Sequence, residues 1–199
     1  MNILIILSHP NPESFNHALA QKACQAVIQS GGTPWFHDLH AEGFDPILPT
    51  EELNRIDILP PLIQQHTQEL SAADGIILIH PNWWSAPPAM MAGWRDRCIR
   101  AGLAYRFETD SHGNGYPVGM LHARFLLLIN TLNTPINVET DCLGNPIYSH
   151  WQKIVFGLCG IKDVDQKLIG PVITSSQAQR TQWLNETQEM VTQKLKVLI

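Results

Sequence analysis

Three polar segments, each directly behind an apolar run, hold the side chains best suited to gripping a ligand. The first is Ser8-His9-Pro10-Asn11-Pro12-Glu13-Ser14-Phe15-Asn16-His17, at the start of a helical pattern. Free N–H groups and the helix dipole favour an anion there, and His9, Ser14 and Asn16 can add donors around a phosphate. Ordinary capping by Ser14, with His9 and His17 as polar loop residues, is the competing reading. The second is His80-Pro81-Asn82-Trp83-Trp84-Ser85-Ala86-Pro87-Pro88. Successive side chains of an extended chain point to opposite sides, so Trp83 and Trp84 cannot both face a core and one flanks a cleft. The prolines hold the backbone donors and acceptors still, which suits the edge of a planar heterocycle. A proline-rich turn with tryptophan as packing filler is the alternative. The third, Asn130-Thr131-Leu132-Asn133-Thr134-Pro135, turns polar abruptly after five apolar residues. Its Asn and Thr groups can bond the rim of a ligand or close a turn locally.

Other chemistries find less support. The first segment contains no glycine or lysine, so it is neither a GxGxxG nor a Walker loop. Ser149-His150 lacks the GxSxG elbow of a serine hydrolase. Nine histidines are present without HExxH or similar spacing, and no metal ligands are assigned. His37-Asp38-Leu39-His40, the nearest approach to a metal cluster, reads as a surface turn. No paired carboxylates suggest acid–base work. A cofactor that brings its own reactivity fits such a chain.

The elements that must position these segments follow from the apolar runs. Strands are expected at Asn2–Leu7, Thr33–Asp38, Gly75–His80 and Arg124–Asn130, with a fifth at Lys167–Thr174 that Pro171 moves to an edge. The first, third and fourth are continuous instead of alternating, as in strands covered on both faces. Helices are expected at Ser14–Ser30, Thr50–Ala73, Pro88–Arg100, Pro146–Cys159 and Ser176–Val197, with Met90, Met91, Trp94 and Cys98 on one stripe. Alternating strand and helix predicts an open α/β sheet in one domain over residues 1–199. Ligands of such sheets bind beyond the carboxyl ends of the strands, where all three polar segments lie. The connections Leu39–Pro49 and Gly102–Ala123 are long enough to suggest function.

Composition narrows the partners. The chain has 199 residues, 13 Lys and Arg against 18 Asp and Glu, and a net charge of −5. Dispersed basic residues in an acidic chain argue against nucleic acid. Apolar runs of five cannot span a bilayer, so no direct membrane insertion is expected. Met1-Asn2 leads straight into the first run without a basic region, and the four cysteines are widely spaced. Both point to a cytoplasmic protein with reduced thiols.

Ser8-His9-Pro10 with Ser14-Phe15-Asn16, the run from Pro81 to Pro88 followed by Gly93-Trp94, Gly102-Leu103-Ala104-Tyr105, and Leu158-Cys159-Gly160-Ile161 together resemble the flavodoxin-like NAD(P)H:quinone oxidoreductases. These include the mammalian quinone reductases, the bacterial modulator of drug activity and the ancillary oxidoreductase of potassium-efflux systems. The resemblance implies an α/β, flavodoxin-like three-layer sandwich with a five-stranded parallel sheet of order 2-1-3-4-5, and a homodimer with flavin at the subunit interface. It implies FAD, with FMN as the alternative, and NAD(P)H as co-substrate. His9, Ser14, Phe15 and Asn16 match the loop around the flavin phosphate. Pro81, Asn82, Trp83, Trp84 and Ser85 match the segment bordering the isoalloxazine. Asn130, Thr131, Leu132 and Asn133 fall where the family often has Thr-Thr-Gly-Gly. Val138 and Gly144 stand at the offsets of a family Tyr and His, and nearby Tyr148 and His150 are the candidate catalytic side chains at the flavin edge. The implied activity is hydride transfer from NAD(P)H through the flavin to a quinone or similar electrophile, by a ping-pong mechanism. A regulatory subunit gating a partner such as a membrane transporter is the alternative.

Overall fold

The computed structural model describes residues 1–53 and 59–198. In chain order the elements are β1 (Asn2–Leu7), α1 (Phe15–Gln29), β2 (Thr33–Asp38), α2 (Thr50–Leu53), α3 (Pro61–Ala72), β3 (Gly75–Pro81), α4 (Ala89–Cys98), β4 (Tyr105–Thr109), β5 (Gly115–Gly119), β6 (Leu126–Thr131), α5 (Pro146–Ser149), β7 (Val164–Ile169) and α6 (Gln177–Leu195). Five strands form a parallel sheet in the order β2-β1-β3-β6-β7. Counting only the strands of this sheet, that is the expected 2-1-3-4-5. The central strands β1, β3 and β6 are buried almost throughout, because helices cover both faces.

Alternation along those strands divides their side chains between two cores. Leu4, Ile6, Ile76, Leu78, Leu126 and Leu128 pack with Met91, Trp94, Trp151 and Phe156 on one face. Ile3, Ile5, Leu7, Ile77, Ile79, Leu127 and Ile129 pack on α1 and α6 through Leu19, Ala23, Val27, Val191 and Leu195. Each fully buried Ile or Leu contributes about 1.5–3 kcal/mol. A sheet held from both sides makes the carboxyl ends of its strands a rigid rim.

Several elements differ from expectation, each for a local reason. The fifth strand is Val164–Ile169 instead of Lys167–Thr174, because Val164 pairs with Leu126 and Ile169 with Thr131 along β6. Its centre is polar because it is an edge strand. The segment Gly102–Ala123 is not an irregular loop. It folds into the antiparallel hairpin β4–β5, whose turn is tied by Asp110 Oδ1 accepting from His112 N and Asn114 N, both at 2.8 Å. The helix expected over Thr50–Ala73 is divided between α2 and α3, and residues 54–58 lie outside the described part. Pro61 opens α3, where a missing N–H costs nothing. The helix expected over Pro146–Cys159 is one turn of α-helix continued by wider π turns at His150–Phe156. On α4, Met91, Trp94 and Cys98 enter the core, and Met90 stays half-buried. Among the described residues, no helix is long and apolar enough to cross a membrane.

Candidate functional site

The three polar turns meet at one end of the sheet. They enclose a cavity of about 240 Å³ lined by His9, Ser14, Phe15, Asn16, Pro81, Asn82, Trp83, Thr131, Leu132, Asn133, Thr134 and Val172. Each pair of turns is joined directly. Asn16 Nδ2 donates to Thr131 Oγ1 at 2.9 Å, a buried bond between residues 115 positions apart. Asn82 N donates to the Thr131 carbonyl at 2.7 Å. The rings of His9 and Trp83 lie 6.2 Å apart. The register β3–β6 places Pro81 opposite Thr131, so the second and third turns leave the sheet at one level.

The first turn is organised by its own side chains. Asn11 Oδ1 accepts from Glu13 N at 2.9 Å, and His9 Nδ1 accepts from Asn11 N at 3.1 Å. Burial holds the His9 pKa below its ordinary value. The neutral ring therefore carries its proton on Nε2. Ser14 caps α1 by accepting from His17 N, and its hydroxyl also lies 2.8 Å from His17 Nδ1. His17 Nε2 in turn lies 2.8 Å from Asp38 Oδ2.

The second turn is a two-residue hairpin. Trp83 and Ala86 exchange backbone hydrogen bonds of 3.2 and 3.1 Å, and Trp84 and Ser85 between them have φ of 57° and 54°. Such mirror-image turns ordinarily take Asn-Gly. Here the price of the geometry is two side chains in left-handed backbone, and Trp84 projects fully exposed. Ser85 does not line the cavity. Its hydroxyl donates to Glu139 Oε2 at 3.0 Å.

Behind the third turn lies a buried polar network. Trp151 Nε1 donates to His80 Nε2 at 3.1 Å, and His80 Nδ1 donates to the Pro81 carbonyl at 2.9 Å. Burial pushes the His80 pKa down to about 4, so the ring is neutral. Asn130 belongs to this network and not to the cavity. It is fully buried, its Nδ2 faces His80, and its Oδ1 accepts from Gln166 Nε2 at 2.9 Å. The alternation of β6 sends Asn130 inward and Thr131 toward the cavity. Leu132 and Asn133, standing where glycines were expected, need no left-handed backbone. Asn133 Oδ1 accepts from Ile173 N at 3.0 Å and so ties in the segment that brings Val172 to the wall.

Nine sequence-predicted residues thus share the cavity: His9, Ser14, Phe15, Asn16, Pro81, Asn82, Trp83, Thr131 and Asn133. Trp84, Ser85 and Asn130 border it without lining it. Tyr148 and His150 are not brought to it. The Tyr148 hydroxyl donates to the Val164 carbonyl at 3.0 Å, and His150 Nε2 accepts from Arg95 Nη1 at 2.9 Å. Burial, reinforced by Arg95, holds His150 below its ordinary pKa. Sequence reasoning placed Leu132 and Thr134 in the third segment without assigning them to the site, and missed Val172 as a lining residue, His17 and Asp38 as supports of Ser14, and Glu139 as the partner of Ser85. The acidic or imidazole character of His17, Asp38 and Glu139 was visible, but their partners lie 3 to 54 positions away.

Comparison with known proteins agrees with this architecture. Residues 1–191 match the family described as having the flavodoxin-like fold. An uncharacterised NAD(P)H oxidoreductase of Haemophilus influenzae is 34% identical over 176 residues, which are 86% of this chain and 85% of that protein. The ribosyldihydronicotinamide dehydrogenase [quinone] of Pongo abelii is 26% identical over 202 residues, covering 89% of this chain and 85% of that one. The solved NAD(P)H:quinone oxidoreductase of Methanothermobacter marburgensis shares the fold with a TM-score of 0.81, at 22% identity over 96% of each chain. With its strand order, its three-turn cavity and a family match spanning nearly its whole length, the chain belongs to the flavodoxin-like fold family.

Proposed function

We propose that the protein is a flavin-dependent NAD(P)H:quinone oxidoreductase. The observation that carries this reading is the convergence of three distant polar turns on one cavity, two of them joined by the buried Asn16–Thr131 bond. The donor set fits a flavin. The amino end of α1, with Ser14 and His9, suits the phosphate, and the backbone of Asn82 and Trp83 with the Thr131–Asn133 turn suits the edge of the ring. FAD is the first expectation and FMN the alternative. The names of the similar proteins support NAD(P)H as reductant and a quinone as acceptor.

A bound flavin supplies hydride acceptance from NAD(P)H and hydride donation to the acceptor in two successive binding events. The chain's own residues bind and orient. His9 offers Nε2–H, Asn16 and Thr131 brace each other across the floor, and the rigid Trp83–Ala86 hairpin fixes one wall. No side chain in the cavity needs to act as a nucleophile, since positioning and fixed donors provide the protein's share.

Homodimerisation belongs to the same proposal. An apolar groove of about 460 Å³ includes Ile99, Tyr105, Phe107, Ile154 and Leu158, three of which are exposed. A second copy would cover it. The test of the enzyme reading is direct. Purified protein is expected to carry a yellow chromophore identifiable by mass after heat release, bleached by NADH or NADPH and recoloured by a quinone. Protein that takes up neither FAD nor FMN overturns it.

A further inference from the structure

Asp38, at the carboxyl end of β2, is held in place from one side. Its Oδ1 accepts from His40 N at 3.1 Å and Ala41 N at 3.3 Å, closing the turn that follows the strand. Its Oδ2 lies 2.8 Å from His17 Nε2, and both side chains are only 14% exposed. One helical turn back, His17 Nδ1 lies 2.8 Å from Ser14 Oγ, on the cavity wall. A hydrogen-bonded line therefore runs from a fixed carboxylate through an imidazole to a hydroxyl facing the ligand space.

The proton inventory of this line has two states. A carboxylate only accepts, so His17 Nε2 carries a proton in both. When His17 is neutral, Nδ1 is a lone pair and Ser14 must give it the hydroxyl proton. Ser14 Oγ meanwhile accepts from His17 N at 3.4 Å as the helix cap. No donor is then left for a ligand. When His17 is an imidazolium, Nδ1–H donates to Ser14 Oγ and the hydroxyl proton is released toward the cavity. We propose that His17 and Asp38 are positioning residues that make Ser14 a proton-dependent donor to a phosphate group bound in the cavity. This rests on the flavin reading, because the phosphate is the cofactor's. Binding a phosphate then draws a proton onto His17, and occupancy tightens as pH falls.

The groups facing His17 are few. Asp38 is its one carboxylate within 4.0 Å among the described residues. The His9 ring lies 6.4 Å away from the loop after β1, and His40 adds its charge from the turn after β2. Protonation of either would also attract an anion, so the test must isolate His17. Asp38→Asn does so. An amide donates to Nε2, which forces the neutral ring into the Nδ1–H form and frees the Ser14 hydroxyl at every pH. The Asn carbonyl oxygen still closes the turn.

The experiment measures binding of FAD and of riboflavin to apoprotein by fluorescence quenching between pH 5.5 and 8.5. The FAD phosphates form a pyrophosphate esterified at both ends and do not titrate in that range, and riboflavin has no phosphate. FAD affinity of the wild type is expected to fall about tenfold with rising pH, the worth of one charge-assisted hydrogen bond, while riboflavin affinity stays level. Asp38→Asn is expected to bind FAD at pH 8.5 as tightly as the wild type does at pH 5.5. Calorimetry of the wild type in buffers of different ionisation heat should show proton uptake with FAD and none with riboflavin, a readout that needs no variant. Flavin binding without pH dependence or proton uptake overturns this inference and leaves the enzyme reading standing. An unchanged slope in a folded Asp38→Asn also overturns it. Failure to bind FAD, FMN or riboflavin at any pH overturns the enzyme reading itself.

Discussion

Ser85 Oγ donates to Glu139 Oε2 across 3.0 Å, binding the hairpin after β3 to the π turn Val138–Cys142 behind β6. Glu139 is buried, and its other oxygen has no partner among the described residues. The bond restrains a hairpin whose two central residues both have positive φ, each costing about 1–3 kcal/mol. It also supplies, among the described residues, the side-chain donor to a buried carboxylate.

Replacing Ser85 separates these effects. Ser85→Ala removes the hydroxyl donor from the buried Glu139 carboxylate and keeps the backbone cost, so a loss of about 2–3 kcal/mol is expected. Ser85→Gly loses the same bond but accepts φ of 54° without strain, and should recover about 1 kcal/mol of that. Urea denaturation midpoints give the ranking, and alanine more stable than glycine would contradict it.

Trp84 tests function against folding. Its side chain is fully exposed and packs on nothing. Trp84→Ala should unfold within about 0.5 kcal/mol of the wild type. As a residue bordering the proposed ring site, it should nevertheless lower kcat/KM for the quinone about tenfold, equivalent to about 1.4 kcal/mol. Unchanged turnover would remove Trp84 from the site.

A cluster beside β2, with His37 and His66 buried, Glu69 half-buried and Glu42 exposed, couples stability to pH. His37 Nδ1 and Nε2 face Glu42 and Glu69, each at 2.7 Å, and His66 stacks on its ring at 3.9 Å. Burial alone would lower the His37 pKa, but its bonds to Glu42 and Glu69 outweigh that and raise it. Burial would likewise raise Glu42, yet its bonds to His37 and His66 bring it down to about 2. The His37 contribution is complete below its unfolded value near 6.5 and lost as pH rises through the raised folded value. The Glu42 contribution is complete above 4.5 and lost toward about 2. Both act fully between these limits, where His37→Ala should cost about 2–3 kcal/mol, and less at pH 9.

The same cluster has the ligand atoms of a metal site, His37, Glu42 and His66. Trp94 argues against that use. Its Nε1–H donates to His66 Nδ1 at 3.0 Å, so the His66 proton sits on Nε2, the atom a metal would need. Neither zinc nor a chelator should move the thermal midpoint by more than 1 °C, on the order of a few tenths of a kcal/mol.

Gly93 is a packing position. A Cβ there would overlap the backbone of Pro46, in the segment that Arg97 clamps through the Asp45 carbonyl at 2.6 Å. Overpacking against backbone typically costs about 1–3 kcal/mol, and Gly93→Ala should lose that much in a denaturant titration. Ile154→Asp, on the exposed wall of the apolar groove, should instead leave the fold intact and shift sedimentation from the proposed dimer to a monomer.

Much of the fold is legible in local pattern. β1 and β2 occupy the expected residues, since each is bounded by turn residues and needs no distant information. Ser14 caps α1 as its position suggests, and Ser176 caps α6. The β4–β5 hairpin was not legible. Its strands are largely exposed and carry Arg106, Glu108 and Pro117, so neither face shows an apolar run. The same absence displaced the edge strand β7 from its expected place.

Of the candidate site, local spacing determined which turns carry polar groups and that all three leave the sheet at its carboxyl edge. It determined equally that no nucleophile elbow or glycine-rich phosphate loop is present. Tertiary structure alone decided which of those groups face the cavity. Asn130 and Thr131 are neighbours of similar polarity, yet one is consumed by His80 and Gln166 and the other braces the cavity through Asn16. His17 reads as a polar residue near the start of the first helix until Asp38 stands beside it. The physical reason is common to both. A side chain's direction and its partner are set by contacts between segments far apart along the chain, and local periodicity carries no record of them.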